Sequence, residues 1–182
     1  MAIEPEDRKE LIALARQAVE SAVSHLPPPR PRRTTGVLGE MRGCFVTLTN
    51  KGALRGCIGT FEPQRPLVEM IVEMGRAAAQ DPRFVTNPIT PAELPHLEIE
   101  VSILSPLEET REPEKLEVGK HGIYIISGSR GGCFLPEVAT DQGWDAVEFL
   151  SYCCSHKAGL HPDAWRMPDA RVYLFTSDKF DS

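Results

Sequence analysis

Two β-rich runs, residues 43–49 (GCFVTLT) and 53–60 (ALRGCIGT), stand on either side of Asn50-Lys51-Gly52. A link that short joins antiparallel strands only, because a parallel pair needs a crossover of a dozen or more residues. Gly52 supplies the positive φ that such a turn requires. Residues 97–104 (LEIEVSIL) then alternate, with Leu97, Ile99, Val101 and Ile103 inward and Glu98, Glu100 and Ser102 outward, as in a strand with one solvated face. Strand patterns resume at 122–127 (GIYIIS) and 132–136 (GCFLP), around the polar Gly128-Ser129-Arg130-Gly131, and end at 171–176 (RVYLFT).

Helices separate these runs. Over residues 5–26, Leu11, Leu14, Ala15, Ala18, Val19, Ala22 and Val23 recur at helical spacing. Pro5 suits the first turn, and Pro27-Pro28-Pro29-Arg30-Pro31 ends the helix in an extended connection. A second apolar stripe runs from about Pro66 to Gln80, stopped by Asp81-Pro82. Thr90-Pro91-Ala92-Glu93 has the form of a capping box with Thr90 as N-cap. Asp145 caps a helix through about Lys157, with Gly159 at its end. Residues 105–117, rich in Pro, Glu and Lys, read as a surface excursion.

The order helix, hairpin, helix, strand, hairpin, helix, strand predicts an α+β protein on a mainly antiparallel or mixed sheet. Regular β–α alternation is missing, and no glycine-rich phosphate loop runs from a strand into a helix, so nucleotide folds fit poorly. A chain of 182 residues suits one domain or two closely packed subdomains. Its net charge of −6 argues against nucleic acid and anionic membranes as partners. The N-terminus has no apolar run after its charges, and no stretch is apolar enough to span a bilayer, so a reducing cytoplasm is expected.

The chemistry concentrates in Leu54-Arg55-Gly56-Cys57-Ile58-Gly59-Thr60. On an extended strand Arg55 and Cys57 share a face, and a guanidinium beside a thiol favours the nucleophilic thiolate. Gly56 and Gly59 let another backbone or a ligand come close. Cys57 is therefore a functional thiol or a small buried hydrophobe, and Arg55 a substrate clamp or the partner of Asp81 or a glutamate. The remaining cysteines, Cys44, Cys133, Cys153 and Cys154, complete an odd set without zinc-ligand spacing, so all five are expected to be free thiols.

Six segments resemble one family: LRGCIGTF at 54–61, AAAQDPRF at 77–84, ELPHLEIEVSILSPLE at 93–108, VGKHGIYI at 118–125, FLPEVATDQGWD at 134–145 and KAGLHPDAW at 157–165. Together they resemble the AMMECR-domain proteins, whose bacterial and archaeal members include protein A of the AmmeMemoRadiSam system. The resemblance implies a single domain over residues 1–182 made of two unequal α+β subdomains, into which helix 5–26 and the proline-rich linker 27–33 lead. It also implies a cleft between the subdomains at the LRGCIGT segment. Other members of that system resemble a dioxygenase-like protein and a radical S-adenosylmethionine enzyme, which implies a shared modification pathway.

The resulting site has Cys57 and Arg55 as catalytic candidates and Gly56, Gly59, Arg83, His121, Glu137 and Lys157 as ligand-binding candidates, with no metal ligands and no named cofactor. Two functions stay open. One is an enzyme or enzyme component using Cys57 on a small anionic or carbonyl substrate. The other is a non-catalytic module that holds a small molecule or a protein of the same system.

Overall fold

The structure is a computed structural model that describes residues 2–182, in two compact units: residues up to Leu104 together with Asp178–Ser182, and Ser105–Ser177. The first unit opens with α1 (Pro5–Val23), whose buried stripe of Leu11, Leu14, Ala15, Ala18 and Val19 is the one its periodicity predicts. The hairpin follows as β1 (Cys44–Asn50) and β2 (Ala53–Thr60). Lys51 and Gly52, the two loop residues, both have positive φ (49° and 80°), which matches the loop to the right-handed twist of the strands. Helix α2 (Leu67–Ala79) packs beside α1 and onto β1 and β2. Strand β3 (Leu97–Leu104) pairs antiparallel with β1 on its other side.

Within the hairpin, Leu48 opposes Gly56 but Thr49 opposes Leu54. Arg55 is thus the extra residue of a β-bulge, which bends the strand locally and leaves Arg55 without a cross-strand partner.

The second unit contains β4 (Glu108–Thr110), β5 (Gly122–Ser127), β6 (Arg130–Phe134), α3 (Pro136–Gln142), α4 (Ala146–Tyr152) and β7 (Ala170–Phe175). Its sheet runs β4-β7-β5-β6, with β4–β7, β5–β7 and β5–β6 all antiparallel. Ile123, Ile125, Phe134, Phe149, Leu150, Trp165 and Val172 form its core. Strand β8 (Ser177–Asp181) then extends the first sheet to β2-β1-β3-β8. The fold is α+β. No helix among the described residues is long and apolar enough to cross a membrane.

Several local expectations need correction. Ser102 is 3 % exposed, not outward in solvent, and stands opposite Phe45 of β1. The 105–117 stretch contains β4, held by the edge of β7. Residues 136–142 form α3, opened by Pro136 and closed by Gly143 in the left-handed region. The helix expected to reach Lys157 is α4 with a full capping box of Asp145 and Glu148, followed by a π-turn over Cys153–Lys157. At Thr90 the hydroxyl makes no cap and Pro91–His96 is a 3₁₀ turn, although the Glu93 carboxylate accepts the Thr90 amide as well as Arg55.

Candidate functional site

Strand β2 is an edge of its sheet, so some of its backbone groups have no strand to bond. Thr47 and Cys57 face each other across the hairpin, and their hydroxyl and thiol share a hydrogen bond of 3.3 Å. On the free side, Asp81 Oδ2 accepts the Cys57 backbone N–H at 3.0 Å, and Arg83 Nη2 donates to the Cys57 carbonyl at 3.2 Å. Arg83 also grips Asp81 through Nη2 at 2.6 Å and Nε at 3.1 Å, and its own amide donates to Asp81 Oδ1 at 3.0 Å. The proline after Asp81 and the 3₁₀ turn Pro82–Phe84 fold Arg83 back onto its acid.

The electrostatics follow from these bonds. The Arg83 hydrogen bond, with smaller help from the Cys57 and Arg83 amides, holds the Asp81 carboxyl well below the usual carboxylate range despite burial. Arg83 is raised in turn, first by Asp81, with the Cys57 charge a smaller contribution. Its side chain is 58 % exposed while that of Asp81 is 1 % exposed, so the pair is anchored at its acidic end.

Arg55 projects from the bulge to a second acid. Its Nε donates to Glu93 Oε1 at 2.6 Å, and its Nη2 donates to Glu93 Oε2 at 3.3 Å and to the Asn87 carbonyl at 2.9 Å. Asn50 Nδ2 adds a bond to Glu93 at 3.1 Å. Glu93 is lowered chiefly by Arg55, against burial, with Asn50 and the Thr90 amide assisting. Phe84 lies between the two networks, with the Arg55 and Arg83 guanidinium carbons 5.6 and 5.8 Å from its ring centre.

Beside this arrangement lies a cavity of about 1070 Å³, walled by Ala22–His25 at the end of α1, Ala79–Asp81 at the end of α2, Phe84, Val85, Ile89 and flanking prolines, with Arg55. Cys57 is tied to that wall through Asp81 and is not one of its lining residues.

The two glycines have a packing explanation. A Cβ on Gly56 would collide with the Ala78 carbonyl of α2, and one on Gly59 with the Phe45 ring. What comes close to each is the chain itself.

Arg55, Gly56, Cys57, Gly59 and Arg83 thus belong to the first unit, whereas His121, Glu137 and Lys157 belong to the second. His121 Nδ1 accepts the Glu117 amide at 3.0 Å and fixes its turn. Glu137 sits in the first turn of α3, where its carbonyl accepts the Thr140 hydroxyl at 2.8 Å. Lys157 lies 5.6 Å from the Phe134 ring centre. Among the described residues, no group of three His, Cys, Asp or Glu side chains is placed to hold a metal ion.

A glutamate is among the partners the sequence leaves open to Arg55, and the structure makes it Glu93; Phe84 is the residue that sequence reasoning missed. The TPAE pattern accounts for Glu93 as a cap residue, and nothing local ties it to Arg55, 38 residues away in sequence.

Comparison with known proteins gives a consistent answer. The family model described as AMMECR1 matches residues 12–180. The chain is 42% identical over 97% of its length to Protein MK0488 of Methanopyrus kandleri, covering 88% of that relative. It is 43% identical over 94% of its length to Protein TK0174 of Thermococcus kodakarensis, again covering 88% of the relative. The crystal structure of uncharacterized protein PH0010 from Pyrococcus horikoshii superposes with a TM-score of 0.86 at 38% identity, covering 99% of this chain and 93% of that one.

Proposed function

The chain belongs to the AMMECR1 family, and from that premise we propose that it is a binding module for a small, largely apolar molecule seated in the cavity beside Arg55. The observation that carries this reading is the cavity of about 1070 Å³, with Val23, Ala79, Phe84, Val85 and Ile89 on its wall. Its size reaches the upper range of pockets that enclose small ligands, and burial of apolar surface there is the main source of affinity. The charged groups nearby are paired already, Arg55 with Glu93 and Asp81 with Arg83, and shape the wall without an open charge.

The reading extends to a cytoplasmic role alongside the protein A members of the AmmeMemoRadiSam system, delivering or holding a small molecule for a protein of that system. The net charge of −6 keeps nucleic acid outside it.

One observation favours a second reading, thiol chemistry. Cys57 is only half-buried, and the Arg83 guanidinium lies close enough to donate to its carbonyl. A thiolate there would attack a carbonyl carbon. Its hydrogen-bond partner is the Thr47 hydroxyl, however, which is no base.

Crystals soaked with a library of small fragments separate the two. Density in the cavity, present equally in the Cys57→Ala protein, supports the binding module. Fragments that appear only as adducts on Cys57 overturn it.

A further inference from the structure

Helices α1 and α2 bring the same end to one cavity. Val23 and Ser24 close α1, Ala79 and Gln80 close α2, and all four line the wall. The negative ends of both helix dipoles therefore meet there. The last carbonyls of a helix have no partner within it. Some find one: the Ser24 amide returns to Glu20, the Leu26 amide to Ser21, and the Gln80 amide to Ala77.

The carbonyls of Val23, Ser24, Ala79 and Gln80 receive no backbone amide among the described residues. The amides that would close them are missing or diverted. Positions 27 and 28 are prolines without an N–H. The Arg83 amide goes to the Asp81 carboxylate, and the Phe84 amide to the Asp81 carbonyl.

Arg55 and His25 are the basic side chains on the cavity wall, Arg83 and Arg76 lie outside its lining, and all three arginines are already engaged. Arg55 is held by Glu93 and the Asn87 carbonyl. Arg83 is held by Asp81. Arg76 donates to Ser21 Oγ at 2.6 Å and to the Leu26 carbonyl at 3.1 Å. An incoming carboxylate or phosphate meets an arginine on the wall that is already paired, and approaches two negative helix ends. A group that donates hydrogen bonds meets open acceptors instead.

Building on the binding-module reading, we infer that the cavity takes an apolar molecule with a cationic, N–H-donating head, in the manner of an alkylammonium, and excludes anions. The apolar body packs against Phe84, Val85 and Ile89, and the head bonds the terminal carbonyls of α1 and α2. This differs from the anionic or carbonyl substrate that the LRGCIGT motif alone suggests, because Arg55 is already neutralised.

The test is a methyl-labelled NMR titration at pH 8 with three probes of one chain length: octylammonium, octan-1-ol and octanoate. Octylammonium is expected to shift the Val23, Val85 and Ile89 methyls saturably, at least about tenfold more tightly than octan-1-ol, with no saturable shift by octanoate. In Glu93→Gln, which releases Arg55 from its ion pair, octanoate should gain binding. Octanoate binding the native protein as tightly as octylammonium overturns the inference. Equal binding of all three probes overturns the head-group preference and leaves the apolar cavity site standing. No shift by any of them removes both.

Discussion

The Asp81 carboxylate accepts the backbone N–H of Cys57 at 3.0 Å, and the arginine held by that same carboxylate donates to the Cys57 carbonyl at 3.2 Å. An ion pair thus occupies the place of a neighbouring strand along the free edge of β2. Asp81→Ala removes the acceptor. Arg83, mostly in solvent, rehydrates, so the loss is chiefly that of a half-buried amide's partner, about 1 kcal/mol. Urea denaturation should show a lower midpoint at an unchanged slope. An unchanged midpoint would mean that other contacts hold the strand edge.

Asp81 and Glu93 both titrate lower in the folded protein than in the unfolded chain. As pH falls, the unfolded chain takes up protons first. The stability that these groups contribute is complete above the unfolded carboxylate values near about 4 and declines as pH drops through the folded ones. Denaturation midpoints between neutral pH and pH 3 should fall on the acid side, and Asp81→Asn should flatten that limb. An acid limb of the same steepness in the variant would contradict the assignment.

Gly56→Ala should destabilise the protein by about 1–3 kcal/mol or more, because the obstacle is the Ala78 main-chain carbonyl, which cannot swing aside. Gly52→Ala meets open space and faces only the strain of its φ of 80°, about 1 kcal/mol. Thermal unfolding ranks the two, and the reverse order would refute the packing of α2 on β2.

The five thiols should react in a defined order. Burial pushes Cys44 up to about 12 and raises Cys153, Cys154 and Cys133 as well, the last opposed by Lys157. Iodoacetamide at pH 8 should modify half-buried Cys57 first and Cys133 more slowly, with the other three labelled only on unfolding. Peptide mapping over time checks this. Early labelling of Cys153 would contradict the packing of the second unit.

Local patterns carried much of this fold. The Asn50-Lys51-Gly52 turn, the alternation of Leu97 to Ile103 and the apolar stripes of α1 and α2 are written over a few residues each, where periodicity and turn chemistry suffice. What escaped depends on distant partners. The bulge at Arg55 is visible only once β1 and β2 are in register. Glu93, which satisfies the local grammar of a cap and accepts the Thr90 amide, also takes an arginine 38 residues away in sequence. Asp81-Pro82 is legible as a helix stop, but the hold of Asp81 and Arg83 on Cys57 needs the strand edge beside them. The short strands β4 and β8 lack any period of their own and form because an edge is there to receive them.

The central claim is that the cavity, and not the Cys57 thiol, is the working feature of this protein. Titration of octan-1-ol into the native protein, Cys57→Ala and Val85→Trp, followed at the Val23 and Ile89 methyls, tests it most directly. Val85 is 76 % exposed at the cavity wall, so a tryptophan there adds bulk to the wall without disturbing the core. The account predicts the same saturable binding in the native and Cys57→Ala proteins and none in folded Val85→Trp. Binding lost in Cys57→Ala and retained in Val85→Trp would contradict it.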